Sequence, residues 1–312
     1  MHEAFLADAR RQRAFGRALA RVVRPGCSVL DIGSGTGIWA VAAARLGAGR
    51  VVAIEREGVL VPLIERLARA NGVADRVEVV HGESRRVSLR GRFDVVVAEL
   101  VGHLGFDEQI VPVMADARAR FLRRGGRLVP ESLALWAAPV KLRGDAAVRG
   151  RGLDLQPFRE LTVHCARVIY GGALRTLAAA VRLVHVDLRK AGVRAGWGEQ
   201  RGRWRVDDLA RVDGVAVWVE IELAPGVALS TRSGTHWSPT FFPVERLGRG
   251  PGTLDCRIRM DGPPSWEVRV ASPGGRRTWS HSPLFAYGSL MPAAPARVSP
   301  GGRRGRATRS AG

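Results

Sequence analysis

Apolar runs and helical periodicities alternate through the first 130 residues of the chain. Residues 5–23 place Phe5, Leu6, Ala9, Phe15, Ala18, Leu19 and Val22 near helical spacing, and Pro25-Gly26 ends the pattern. Residues 27–32 read as a buried strand, and residues 38–46 as a helix free of Gly and Pro. A second strand at 50–55 ends in an acid, and a helix at 59–70 stops at Asn71-Gly72. Strands follow at 77–80 and 93–98. Residues 107–122 predict a helix with acids in its first turn and arginines in its last, as the macrodipole favours. Gly125-Gly126 stops that helix, and 127–129 begin a fifth strand. The alternation predicts an α/β fold with a doubly wound, mostly parallel sheet, which binds ligands outside the carboxyl ends of its strands.

The pattern changes after Pro130. Short alternating segments at 133–140, 181–188, 215–223, 253–260 and 266–270 predict a second, mainly antiparallel β domain. Residues 156–180 are longer and mixed, with helical stretches. From Met291 the chain is rich in Pro, Ala, Gly and Arg and reads as a disordered basic tail. The expected division is 1–131, 132–290 and 291–312.

Composition narrows the class. A chain of 312 residues buries a sizeable core in two domains. Arg interrupts every apolar run before transmembrane length, and Met1-His2-Glu3-Ala4 opens without a signal-peptide core, so no membrane partner is expected. Cys27, Cys165 and Cys256 are too few and too scattered for a disulfide framework, and a reducing cytoplasm fits. The histidines His2, His81, His164, His185 and His281 lack metal-ligand spacing, and no metal is expected. The net charge of +20 invites a nucleic-acid reading. Yet of 49 basic residues only Lys141 and Lys190 are lysines, and the charge is spread without a basic helix, which is what GC-rich coding imposes.

The turn after the first strand carries the first chemistry. Asp31, Gly33, Gly35 and Gly37 form D-x-G-x-G-x-G, with Ser34 inside it. A dinucleotide fingerprint needs G-x-G-x-x-G, and Ile38 stands in its last glycine's place; no Gly-Lys-Ser/Thr follows, so this is not a P-loop. The form resembles motif I of class I S-adenosylmethionine-dependent methyltransferases. The loop after the fourth strand carries the second. Glu99 and Glu108 flank Gly102, His103 and Gly105, and no Asn-Pro-Pro-aromatic motif for a neutral amino group is present. Two acids suit a cation.

That loop closely resembles the double-glutamate loop of the protein arginine methyltransferases, with Leu100, Val101 and His103 in place of the family's Trp, Met and Tyr. Thr235-His236-Trp237 matches that family's Thr-His-Trp loop, and Asp8 and Arg11 fall in its M-L-x-D-x-x-R frame. The resemblance covers roughly residues 2–285 and implies a Rossmann-like methyltransferase sheet followed by a β-barrel-like domain. It further implies a bacterial member with a shortened N-terminus, since only Phe5 is aromatic ahead of Asp8.

The resemblance also implies roles. Asp31, Gly33, Ser34, Gly35 and Gly37 would line the methionine end of S-adenosyl-L-methionine, and Arg11 would pair with its carboxylate. Glu55 would accept from the ribose hydroxyls, and Glu83 and Ser84 would meet the adenine. Glu99 and Glu108 would clamp a substrate guanidinium, Asp8 would pair with His236 as part of the catalytic group, and Trp237 would wall the substrate channel. The physics is coherent, because two cations share a low-dielectric pocket only if anions sit between them. The expected partner is a protein arginine, in a homodimer formed through an arm at 157–180. RNA, a ribosomal protein or a small amine are alternative acceptors, and a non-catalytic cofactor-binding scaffold is the other alternative.

Overall fold

The computed structural model describes residues 2–142, 160, 163–169, 174–232, 234–260 and 265–283. Five parallel strands make the first sheet: β1 (Ser28–Ile32), β2 (Arg50–Glu55), β3 (Val77–His81), β4 (Phe93–Ala98) and β5 (Leu122–Val129). Their order is β3-β2-β1-β4-β5, so the direction of winding reverses between β1 and β4. The crevice of such a sheet opens at that reversal. Helices α3 (Ile38–Arg45), α4 (Val61–Ala70) and α5 (Ile110–Arg120) connect the strands. The central strands are apolar because helices cover both faces, and Leu30, Val52 and Val96 are fully buried. No helix among the described residues is long and apolar enough to cross a membrane.

The amino-terminal segment is not one helix. It divides into α1 (His2–Ala7) and α2 (Ala9–Val22), with Asp8 between them. Asp8 caps α2 by accepting from the Arg11 backbone N–H at 2.9 Å. A capping Asp leaves helical geometry to make that bond, and this interrupts the periodicity. The buried face of α2 carries Phe15 and Leu19. Phe15 stacks on Trp39 of α3 with centroids 4.7 Å apart.

The fourth connection also departs from expectation. The helix begins at Ile110, after Gln109 in the left-handed region, so Glu108 lies ahead of it and does not serve its first turn. It ends at Arg120, and Gly125-Gly126 lie inside β5. The β4–β5 register shifts between Phe93 and Val95, and this irregularity absorbs the glycines without ending the strand.

The second sheet has eleven strands. Beyond β6 (Ser132–Leu142) they are β7 (Cys165–Val168), β8 (Leu174–Thr176), β9 (Val181–Asp187), β10 (Glu199–Val206), β11 (Gly214–Ala224), β12 (Val227–Ser230), β13 (Thr240–Pro243), β14 (Gly252–Arg259), β15 (Ser265–Ser272) and β16 (Gly275–Pro283). The path is β10-β14-β15-β16-β7-β13-β11-β6-β8, with β12 on β11 and β9 on β6. All pairs are antiparallel except β16 with β7. Contact between β9 and β10 curls the sheet toward a barrel. Within 156–180 the described residues include β7 and β8, where the mixed pattern predicts helical stretches and an arm. These strands are too short to show alternation, and β7 pairs with β13 some seventy residues away. Residues 157–159, 161–162 and 170–173 of the expected arm, and the expected tail at 291–312, lie outside the described residues.

Candidate functional site

The glycine turn forms one wall of a crevice at the carboxyl ends of β1, β2 and β4. Gly33 and Gly37 have φ of 68° and 81°, the left-handed region that favours glycine. A Cβ would also stand 2.8 Å from Leu100 Cδ2 at Gly33 and 2.7 Å from Ile64 Cγ2 at Gly37. Behind the turn, buried Asp31 accepts from the Ala40 N–H at 3.1 Å and so caps α3, whose own N-cap glycine has no side chain. Burial, with the nearby Glu55 and Glu99 charges, pushes the Asp31 carboxyl up to about 7. Glu55, at the end of β2, accepts from Gly35 N–H at 2.6 Å and from Glu57 N–H at 2.9 Å.

The loop from Glu99 to Glu108 forms the opposite wall. Its shape is held by Asp107, whose two oxygens accept from the His103 and Leu104 N–H groups at 3.1 and 3.0 Å. The His103 ring is buried and its Nδ1 lies 2.8 Å from the Trp237 carbonyl, tying this loop to the Thr-His-Trp loop. Glu99 forms an ion pair with Arg11, whose Nε also donates to it at 3.1 Å. Burial still holds the Glu99 carboxyl above its ordinary value, against the pull of Arg11. Glu108 lines the crevice with an exposed surface. Partial desolvation there, with the Glu99 and Asp107 charges, pushes its carboxyl up to about 8.

Asp8 and His236 form a third group. Asp8 Oδ2 accepts from the His236 backbone N–H at 2.8 Å and lies 2.8 Å from its Nδ1. Burial opposes ionisation of Asp8, but the hydrogen bonds from Arg11 and His236 outweigh it and hold its carboxyl below the ordinary value. Burial pulls the His236 ring below its ordinary value. Its Nε2 is buried and has no hydrogen-bond partner among the described residues. Phe5 and Trp237 pack against the ring at centroid distances of 4.5 and 4.2 Å.

The crevice has a volume of about 910 Å³. Arg11, Gly33, Ser34, Gly35, Glu55, Glu83, Ser84, Glu99, Glu108 and Trp237 all line it. Asp31, Gly37, Asp8 and His236 do not: Asp31 stands behind the glycine turn, Gly37 ends that turn against Ile64, and Asp8 and His236 lie beneath Phe5 and Trp237. Asp31 and Gly37 therefore shape the wall expected to meet the methionine end. Arg11, expected to meet a cofactor carboxylate, is joined in this structure to Glu99. Glu83 is engaged by Arg85 at 3.0 Å, which holds its carboxyl low. Three residues escape sequence reasoning. Trp39 lines the crevice with a buried Nε1 that has no hydrogen-bond partner among the described residues, while Asp107 and His103 fix the glutamate loop. Only the position of Trp39 in the first turn after the glycines offered a signal.

Known proteins resemble the chain over this same region. Residues 17–129 match the family model described as Ribosomal protein L11 methyltransferase (PrmA). An Arginine N(omega)-methyltransferase of Streptomyces achromogenes subsp. streptozoticus is 29% identical over 258 residues, covering 78% of this chain and 71% of that protein. Protein arginine N-methyltransferase PRMT10 of Oryza sativa subsp. japonica is 35% identical over 163 residues, 51% of this chain. The chain spans only 42% of that rice protein's length. The Trypanosoma brucei PRMT1 enzyme-prozyme heterotetrameric complex with AdoHcy superposes with a TM-score of 0.76 at 17% identity, covering 90% of this chain and 97% of that one. Arabidopsis thaliana Protein Arginine Methyltransferase 10 gives 0.71 at 20% identity, covering 89% and 97%.

Proposed function

We propose that this chain, a relative of the protein arginine N-methyltransferases, transfers a methyl group from S-adenosyl-L-methionine to a guanidinium nitrogen of a protein arginine. The observation that carries the reading is the placement of Glu99 and Glu108 on one loop facing the crevice that Gly33, Gly35 and Glu55 wall from the other side.

The residues present fit the cofactor. Trp39 offers in the crevice wall a buried Nε1 without a hydrogen-bond partner among the described residues. Glu55 accepts one backbone N–H at each oxygen, and a carboxylate has lone pairs to spare for hydroxyl donors. Gly33, Ser34 and Gly35 would bring backbone close to the cofactor, Glu55 would take its ribose hydroxyls, Arg11 its carboxylate, and Glu83 and Ser84 would lie at its adenine. When bound, the cofactor supplies an electrophilic methyl group on a sulfonium.

The chain's own residues do the rest. A guanidinium arrives charged, because its pKa exceeds twelve. Glu99 and Glu108 compensate that charge, and a two-point grip on the planar fork orients the reacting nitrogen. Arg11 is shared: it pairs with Glu99 and opposes the burial that favours the protonated carboxyl. Glu108 has the raised pKa of a proton acceptor, and it takes the proton that the nitrogen sheds. Asp8 and His236 position the floor under Trp237. Trp237 excludes water from the channel, which strengthens the ionic grip.

The Streptomyces relative, which shares the greater length, is named for arginine itself, and free arginine is therefore the second acceptor to test. Incubation of the chain with labelled cofactor, a Gly/Arg-rich peptide, free arginine and total RNA separates the readings. Methylarginine in the peptide, lost in Glu99→Gln and Glu108→Gln, supports the proposal. Label confined to free arginine moves the substrate, and label in RNA alone overturns the reading. Assembly as a homodimer is part of the same proposal. It is supported by the exposed apolar side chains of Val59, ahead of α4, and Leu63, within it, and a single-chain mass by light scattering overturns it.

A further inference from the structure

We propose that a second cavity, lined by five arginines at the amino ends of the parallel strands, binds linked phosphate groups. The cavity has a volume of about 780 Å³ and shares no residue with the crevice described above. Arg21 and Arg24 come from the end of α2 and the turn after it. Arg123, Arg124 and Arg127 come from the irregular stretch of β5. The register shift there takes the strand out of its regular ladder, and both Arg123 and Arg124 are exposed.

Charge in this cavity is not balanced. Asp94 is the only acid lining it among the described residues, and it pairs with Arg123 at 2.7 Å. Its other oxygen already accepts from the Ser28 N–H and Oγ at 2.8 Å each. Arg127 reaches Glu131, outside the lining, at 3.8 Å. Arg21 donates to the neutral carbonyl of Pro225. The side chains of Arg24 and Arg124 have no hydrogen-bond or ion-pair partner among the described residues. Like charges so gathered repel one another, and an anion with several charges on neighbouring centres relieves the repulsion.

The chemistry of the lining selects the anion. Guanidinium forks match the oxygen pairs of phosphate. Linked phosphates present adjacent charges on a short covalent frame, whereas peptide carboxylates must first order long side chains. Among the described residues no aromatic side chain lines the cavity, so bases find no stacking surface there and the grip falls on the phosphates. A nucleic-acid backbone and free polyphosphate both supply that chemistry.

The test uses the full chain and fluorescence anisotropy with a labelled 12-mer of oligouridylate, alongside binding of inorganic triphosphate. Arg24→Gln with Arg124→Gln is compared with a charge-matched pair on α4, Arg66→Gln with Arg69→Gln, after equal melting temperatures are verified. The cavity pair is expected to weaken phosphate binding about tenfold and to lower the salt slope of oligouridylate binding by about 1.4, with less than about a twofold change in the control. Tighter binding of the 12-mer identifies a nucleic-acid backbone, and tighter binding of triphosphate a free polyphosphate. Equal losses in both pairs, displacement by oligoglutamate as effective as by triphosphate, or no binding of either probe overturns the proposal.

Discussion

Arg11 and Glu99, 88 residues apart, form a buried ion pair in the wall of the crevice. The pair joins the helix that Asp8 caps to the loop that carries both glutamates. One guanidinium thus holds one of the loop's two glutamates in place.

Glu99→Gln keeps an acceptor for Arg11 and removes the charge. Methyl transfer is expected to fall by about 10²–10³-fold in kcat. Chemical denaturation is expected to show a loss of only about 1–3 kcal/mol. Activity within threefold of the parent, measured by methylarginine release, contradicts the assignment.

Glu108 makes the reaction pH-dependent. Its carboxyl is protonated below about 8, and only its ionised form grips a cation. Thus kcat/KM is expected to rise through pH 8, and Glu108→Gln to flatten that limb. Stability runs the other way. The folded pKa of about 8 lies above the ordinary 4.5, so the stability carried by the protonated group is complete below 4.5 and lost as pH rises through 8. Glu108→Gln is expected to raise Tm more at pH 8.5 than at pH 5.5, by a margin that solvent screening of this exposed group keeps small.

Asp8 serves both fold and site. Asp8→Ala removes the cap of α2 and the anchor of His236, and is expected to cost about 1–2 kcal/mol along with a fall in kcat. Asp8→Asn retains an acceptor for the cap and is expected to recover most of the stability without the activity. Recovery of both by Asn shows that the charge of Asp8 is unnecessary.

Gly37→Ala tests the wall without touching the crevice. The φ of 81° and the contact with Ile64 both oppose a Cβ, and a loss of about 1–3 kcal/mol with weakened cofactor binding is expected. Gly72→Ala has a φ of 67° but open space around it, and is expected to cost about 1 kcal/mol with cofactor binding unchanged. Calorimetric titration with the cofactor distinguishes the two.

The sequence by itself determined the five-strand alternation, the glycine turn and the chemical pairing of Glu99 with Glu108. These are local signals. Periodicity reports which face of an element is buried, and turn glycines report backbone shape. It did not reveal the break at Asp8, because a capping Asp inside an apolar periodicity looks like a solvated helix position. Nor did it reveal β7 and β8, which are short and whose partners lie far along the chain. Only the tertiary structure joined Arg11 to Glu99, moved Asp31 behind the turn it introduces, and gave Asp107 and His103 the task of holding the glutamate loop. The physical reason is that ion pairs and pKa shifts depend on burial and on neighbours brought together by the fold, and spacing along a chain encodes neither.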